Sequence, residues 1–203
     1  MDGTDLEAEL RTDHETAFSR LGSSKAMYAL TAGEMDGDSV RTAAATDALA
    51  LASVLEDWID DADGDETSLY DDLAAAARAH ADDVTDEPSL DAIPELYDRL
   101  GEQESTSARL GGLLGRYLVS VEYVGQMVGF FVGDADPMAA DSFRGLRSDL
   151  EAERDRIVET LDAACDGDDW DAARDAGDAV VEAAYDDYVE TLQSMGIKPK
   201  NVC

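Results

Sequence analysis

Residues Leu110–Val132 read LGGLLGRYLVSVEYVGQMVGFFV, the most apolar stretch in an acidic chain of 203 residues. Glycines recur at a spacing of four, as Gly111/Gly115 and Gly125/Gly129, and a single carboxylate, Glu122, stands in the middle. The stretch is long enough to suggest a membrane span, but Arg116 and Glu122 interrupt it. It is therefore expected to be the central helix of a protein bundle, with the glycines admitting close neighbours. Glycine costs about 1 kcal/mol of helix propensity relative to alanine, so a packing reason is expected for each pair. A buried Glu122 needs a partner, and Arg116 or Arg109 is at hand.

Outward from this stretch, apolar residues recur at helical spacing on both sides. Stripes such as Leu6, Leu10, Phe18, Leu21 and Tyr28 predict a helix from Asp5 to about Ala32, which Gly33 ends. His14 falls on that stripe and is expected to be half-buried and bonded to a carboxylate. Small residues from Leu21 to Lys25 mark either close packing or a break. Further helices are predicted from Asp38 or Ser39 to Asp61, from Ser68 to Val84, from Pro137 to Ala164 and from Trp170 to Met195. A short helical segment ends near Leu100, after Pro88 and Pro94. No strand pattern occurs and most connections are short. The fold class read from these patterns is all-α, an up-and-down helical bundle of five long helices plus a short one. Residues 1–196 read as one domain, with 197–203 as a tail.

The charge is extreme: 48 Asp and Glu against 15 Lys and Arg, a net −33. Only Lys25, Lys198 and Lys200 are lysines. At molar salt the Debye length falls to about 3 Å and self-repulsion fades, so the composition points to the cytoplasm of a salt-in halophile. No basic stripe favours nucleic acid. The N-terminus lacks a signal-peptide pattern, and no membrane partner is expected. Cys165 and Cys203 form no Cys-x-x-Cys pair, and Asp166 beside Cys165 should raise its thiol pKa.

Bundles of this size hold cofactors on inward side chains of facing helices. A di-iron carboxylate centre takes a Glu from each of two helices and a Glu-x-x-His from each of two others. No Glu-x-x-His occurs here; the nearest remnants are Asp47-x-x-Ala50, Ala77-x-x-His80 and Glu151-x-x-Arg154. The run Asp60–Asp65 alternates carboxylates like a calcium loop, but Asp72 stands where a bidentate Glu is needed. A nucleophile elbow and a phosphate loop are also missing.

The opening Asp13–Lys25, DHETAFSRLGSSK, the order of the helices and the block Arg109–Val132 resemble a halophilic, archaeal branch of ferritin-like, rubrerythrin-related proteins. The resemblance implies a ferritin-like bundle in which Glu15 and Glu122 correspond to the first and third helix carboxylates. With Asp47 and His80 they make a candidate residual metal site, for which iron would be the cofactor. The missing Glu-x-x-His pairs, and the missing C-terminal Cys-x-x-Cys pairs, imply a centre lost or rebuilt. The role implied is then non-catalytic binding or a stress-related one, rather than peroxidase or ferroxidase activity. The competing class is an all-α interaction module such as a redox-enzyme assembly chaperone, although the acidic-Pro-Asp-His loop of those proteins is not found. A protein partner or self-association fits either class; RNA-linked regulation has only the Lys198/Lys200 tail in its favour.

Overall fold

Ser105 starts the central helix: its hydroxyl accepts from the Ala108 N–H, 3.2 Å away, and α7 runs over Thr106–Gly133. From Leu110 to Val121 every residue is buried, which is why apolar side chains surround this helix instead of forming one stripe. The computed structural model describes residues 1–61, 65–86, 88, 90 and 93–199, and among them every regular element is an α-helix. The middle of the Asp60–Asp65 run lies outside the described residues, as do Lys200 and Cys203. No helix among those described is long and apolar enough to cross a membrane.

Two long helices flank α7 directly, α8 (Pro137–Ala164) and α9 (Asp169–Ser194). Pro137 takes the first helical position of α8, where its missing N–H costs nothing, and Asp136 caps it. A second pair, α4 (Gly37–Asp61) and α5 (Asp65–Val84), packs together, with α4 against α7 and α5 against α8. The cap of α4 is Asp36 rather than Asp38 or Ser39: its carboxylate accepts from the Ser39 N–H at 2.8 Å, which lowers the Asp36 pKa. The short α6 (Leu96–Gly101) lies against α9, α4 and α7.

Nine helices appear among the described residues rather than five long ones and a short one: the ranges read from the sequence already make six long helices, one more than that count, and the one from Asp5 to Ala32 is three, α1 (Gly3–Asp13), α2 (Glu15–Leu21) and α3 (Ser24–Leu30). One break falls in the small-residue block, at Gly22; the other, at His14, was not legible. The breaks let the chain change direction. The first segment packs on α8 and α9, the second on α7 and α9, and the third on α7, α9 and α4. A straight helix could not follow that path. Gly22 also sits under α7, where Gln126 donates to its carbonyl at 2.9 Å and a Cβ would meet Glu122 Oε2 at 2.7 Å.

The glycine pairs of α7 divide. A methyl group at Gly111 would lie 1.9 Å from the Ala173 carbonyl oxygen, and one at Gly115 would lie 2.7 Å from that of Gly177. Gly111 and Gly115 thus admit the small residues of α9, which are also four apart. Gly129, by contrast, faces open space, and a Cβ at Gly125 would meet only the Arg147 guanidinium, at 3.9 Å. The close-packing expectation holds for the first pair and fails for the second. Gly111→Ala should therefore destabilise the protein by about 1–3 kcal/mol or more, through helix–helix overpacking. Gly129→Ala should stabilise it by about 0.5–1 kcal/mol, because alanine restricts the unfolded chain and suits a helix. Urea midpoints at constant molar KCl check both.

Candidate functional site

Small side chains on α4 and α5 leave a gap in the interior. Ala44 and Ala48 are one turn apart on α4, and Ala77 faces them from α5; all three line a partly open cavity of about 30 Å³ between α4, α5, α7 and α8. Leu30 and Pro94 close its margin. The wall is apolar apart from Asp47, His80, Arg116, Tyr123 and Glu153.

The charges fall into two pairs. Arg116 of α7 is only 1 % exposed, and its Nη2 donates to Asp47 Oδ2 at 2.8 Å. Its Nε donates to the Tyr97 hydroxyl at 3.1 Å, and that hydroxyl donates to Asp47 Oδ1 at 2.5 Å. Ser120, one turn after Arg116, donates to Asp47 Oδ2 at 3.0 Å. One carboxylate thereby accepts from three side chains on two elements, α6 and α7. Burial disfavours the guanidinium charge, but Tyr97 and Asp47 more than offset this and raise the Arg116 pKa. Burial holds the Tyr97 phenol well above its ordinary range, so it remains a donor. The Arg116 Nη1 finds no hydrogen-bond partner among the described residues.

The second pair joins His80 of α5 to Glu153 of α8, Nε2 to Oε1 at 2.8 Å, with both side chains nearly buried. His80 and Leu146 also line an outer groove with Asp83, Ser142 and Asp149, so they stand between that groove and the cavity. Burial raises the neighbouring Tyr117 phenol well above its usual value, and the Glu153 carboxylate adds to the effect.

Of the four residues named for a residual metal site, the structure brings together only Asp47 and His80, on one cavity wall. Glu15 is exposed on α2. Glu122 is not the buried carboxylate expected from its apolar setting: its side chain is 32 % exposed and pairs with Arg11 of α1 at 3.4 Å. Its expected partners are engaged elsewhere, Arg116 on Asp47 and Arg109 over the Trp58 ring. The physical reason is local. Glu122 falls beside Gly22, where the short α2 ends against α7, so its carboxylate stays partly exposed and reaches Arg11. No group of three or more His, Cys, Asp or Glu among the described residues is arranged to hold a metal ion. Asp47, the one predicted carboxylate beside the cavity, already has a guanidinium as its cation.

The residues that the sequence reading missed are Arg116 as the interior charge, Tyr97, and Glu153. Glu153 had a signal, since it sits on the α8 stripe, three residues after Leu150 and four before Ile157. Arg116 and Ser120 had one too, four apart in the most apolar helix. Tyr97 had none, because α6 is too short to show a period. His14 is paired as expected, its Nε2 lying 2.8 Å from Asp178. The Cys165 thiol is raised first by burial and then by Asp169 and Asp166, so it is a poor nucleophile.

The arrangement therefore offers hydrogen-bond donors and apolar wall rather than an activated nucleophile. No family model, curated protein or solved structure matches this chain significantly, so the geometry alone carries the functional argument.

Proposed function

We propose that this chain is a ferritin-like, rubrerythrin-related bundle whose metal centre has been rebuilt around an arginine, and that it acts by non-catalytic binding in the cytoplasm of a halophilic archaeon. The observation that carries this reading is the Arg116–Asp47 pair inside the α4/α5/α7/α8 interior. A di-iron centre needs several uncompensated carboxylates around one point. Here the guanidinium supplies the positive charge, and Tyr97 and Ser120 occupy further lone pairs of the one carboxylate. The lineage itself is supported by the Asp13–Lys25 and Arg109–Val132 resemblance; the salt-in setting is supported by the net charge of −33. Metal analysis of protein purified in molar KCl tests the proposal. Iron well below one per chain is the expected result, including after incubation with ferrous iron. Two tightly held irons per chain would contradict it.

A second reading, an interaction module such as a redox-enzyme assembly chaperone, is favoured by one observation. Val132 and Met138 are 55 % and 81 % exposed at the α7–α8 corner, and Met35 is 39 % exposed before α4. The Arg41–Asp136 ion pair, at 3.7 Å, holds these two turns at the same end of the bundle. On this reading, affinity capture in molar KCl recovers one dominant client, and Met138→Asp loses it. The binding reading expects no client that depends on Met138.

A further inference from the structure

We infer that Asp166 is a site of spontaneous covalent modification, where its side chain closes on the Gly167 nitrogen and the chain reopens as isoaspartate in the turn between α8 and α9. A glycine after the aspartate permits this chemistry, because no Cβ obstructs the approach to its nitrogen. Four such steps occur, Asp2–Gly3, Asp36–Gly37, Asp63–Gly64 and Asp166–Gly167, of which Asp63–Gly64 lies outside the described residues. As dipeptides they are identical; their surroundings set them apart.

Two of the three described steps are held closed. Gly3 is buried and its N–H donates to Asp162 Oδ1 at 2.6 Å, while Asp2 Oδ1 accepts from the Asp5 N–H at 2.8 Å. Asp36 Oδ1 accepts from the Ser39 N–H at 2.8 Å, and Gly37 is the first residue of α4. The bonds to Ser39 lower the Asp36 pKa, so this carboxyl stays ionised and is a poor electrophile. Asp166 and Gly167, by contrast, are both exposed. Among the described residues the Asp166 carboxyl accepts no hydrogen bond and joins no ion pair, and the Gly167 N–H has no acceptor. Gly167 has φ +55°, and no atom lies within 4 Å of where a Cβ would stand, which leaves room for a ring. Other groups hold the turn: the Asp169 N–H donates to Asp166 O at 3.0 Å, and the Asp166 N–H donates to Asp169 Oδ2 at 3.1 Å.

In the first step the Gly167 nitrogen forms a bond to Asp166 Cγ and loses its proton, and water leaves from the carboxyl group. Hydrolysis of the succinimide returns that water. Where it breaks the bond between the Gly167 nitrogen and the Asp166 main-chain carbonyl carbon, the chain afterwards runs through Cγ, and a free carboxylate is left on Cα. Nothing is oxidised or reduced, and water is the only co-reactant. The product lengthens by one methylene the connection between the two helices that flank α7.

The test is incubation of the folded protein in molar KCl over days, followed by peptide mass spectrometry after digestion with a protease that cuts before aspartate but not before isoaspartate. A peptide of unchanged mass, uncut at Asp166, should accumulate at least about fivefold faster than one uncut at Asp36, the factor that opening one helix N-cap is worth. In urea, where the caps are gone, the two rates should converge. Asp166→Glu, whose longer side chain would have to close a six-membered ring, should yield no second form of this peptide. Equal rates at Asp36 and Asp166 in the folded protein, or no isoaspartate at Asp166, would each overturn the inference.

Discussion

Replacing Arg116 with Met should lower stability by about 3–5 kcal/mol, the cost of leaving a largely buried charge without its partner. For a chain of this size that is a fall in Tm of about 10–15 °C, read by circular dichroism in molar KCl. Asp47 then keeps only the Tyr97 and Ser120 hydroxyls, and its side chain is 18 % exposed, too little for water to replace a guanidinium. Removing the charge from both sides reverses most of the loss. Arg116→Met with Asp47→Leu leaves the Tyr97 and Ser120 hydroxyls without their acceptor; adding Tyr97→Phe removes the first, and the Ser120 hydroxyl turns to the Arg116 carbonyl one turn back on its own helix. The triple variant should approach the parent stability, because a buried ion pair is often no better than apolar residues of similar volume. A triple variant as unstable as Arg116→Met would show that the cluster stabilises the fold by more than mutual neutralisation.

Salt should have an effect at least as large. With a net charge of −33 and exposed carboxylates on α1, α2, α4, α5, α6, α8 and α9, the folded state concentrates repulsion that the unfolded chain relieves. At molar KCl the Debye length is about 3 Å and each surface carboxylate interacts with little beyond its neighbours; at 0.01 M it is about 30 Å, comparable to the whole domain. The protein should melt cooperatively in molar KCl and be largely unfolded near 0.01 M, with the transition followed by helical ellipticity. Unchanged ellipticity and Tm over that range would remove the halophilic reading while leaving the fold intact. The interior pairs predict a contrast within the same experiment. The Arg116–Asp47 coupling is shielded from solvent, so its double-mutant-cycle value should change little with salt wherever the chain is folded.

The helices were legible where burial follows one stripe. Residues Val40, Ala44, Leu51, Leu55 and Trp58 lie on one face of α4, and all are buried. The α8 start was legible as well, since proline suits only the first turn of a helix. What the sequence concealed depended on neighbours. The break at His14 has no glycine or proline to announce it; it follows from the need of α1 to reach α8 while α2 reaches α7. Gly111 and Gly129 look alike in the sequence, yet only the first faces another backbone. Glu122 and Arg116 stand six residues apart in one apolar run, and chemistry alone suggested that the carboxylate would be buried and the arginine would serve it. The structure reverses the roles, because α4 and α6 bring Asp47 and Tyr97 to Arg116, whereas the rim carries Arg11 to Glu122. Helical spacing says which residues share a face of one element. It does not say which element will cover that face.

The proposed function requires that the Arg116 guanidinium, and not a metal ion, balances Asp47. Crystals grown in molar KCl with ferrous iron, measured at the iron absorption edge, test it most directly. No anomalous peak is expected among α4, α5, α7 and α8, with Arg116 on Asp47 and Tyr97 as described. An iron peak ligated by Asp47, His80 and Glu153, with Arg116 swung away, would contradict it.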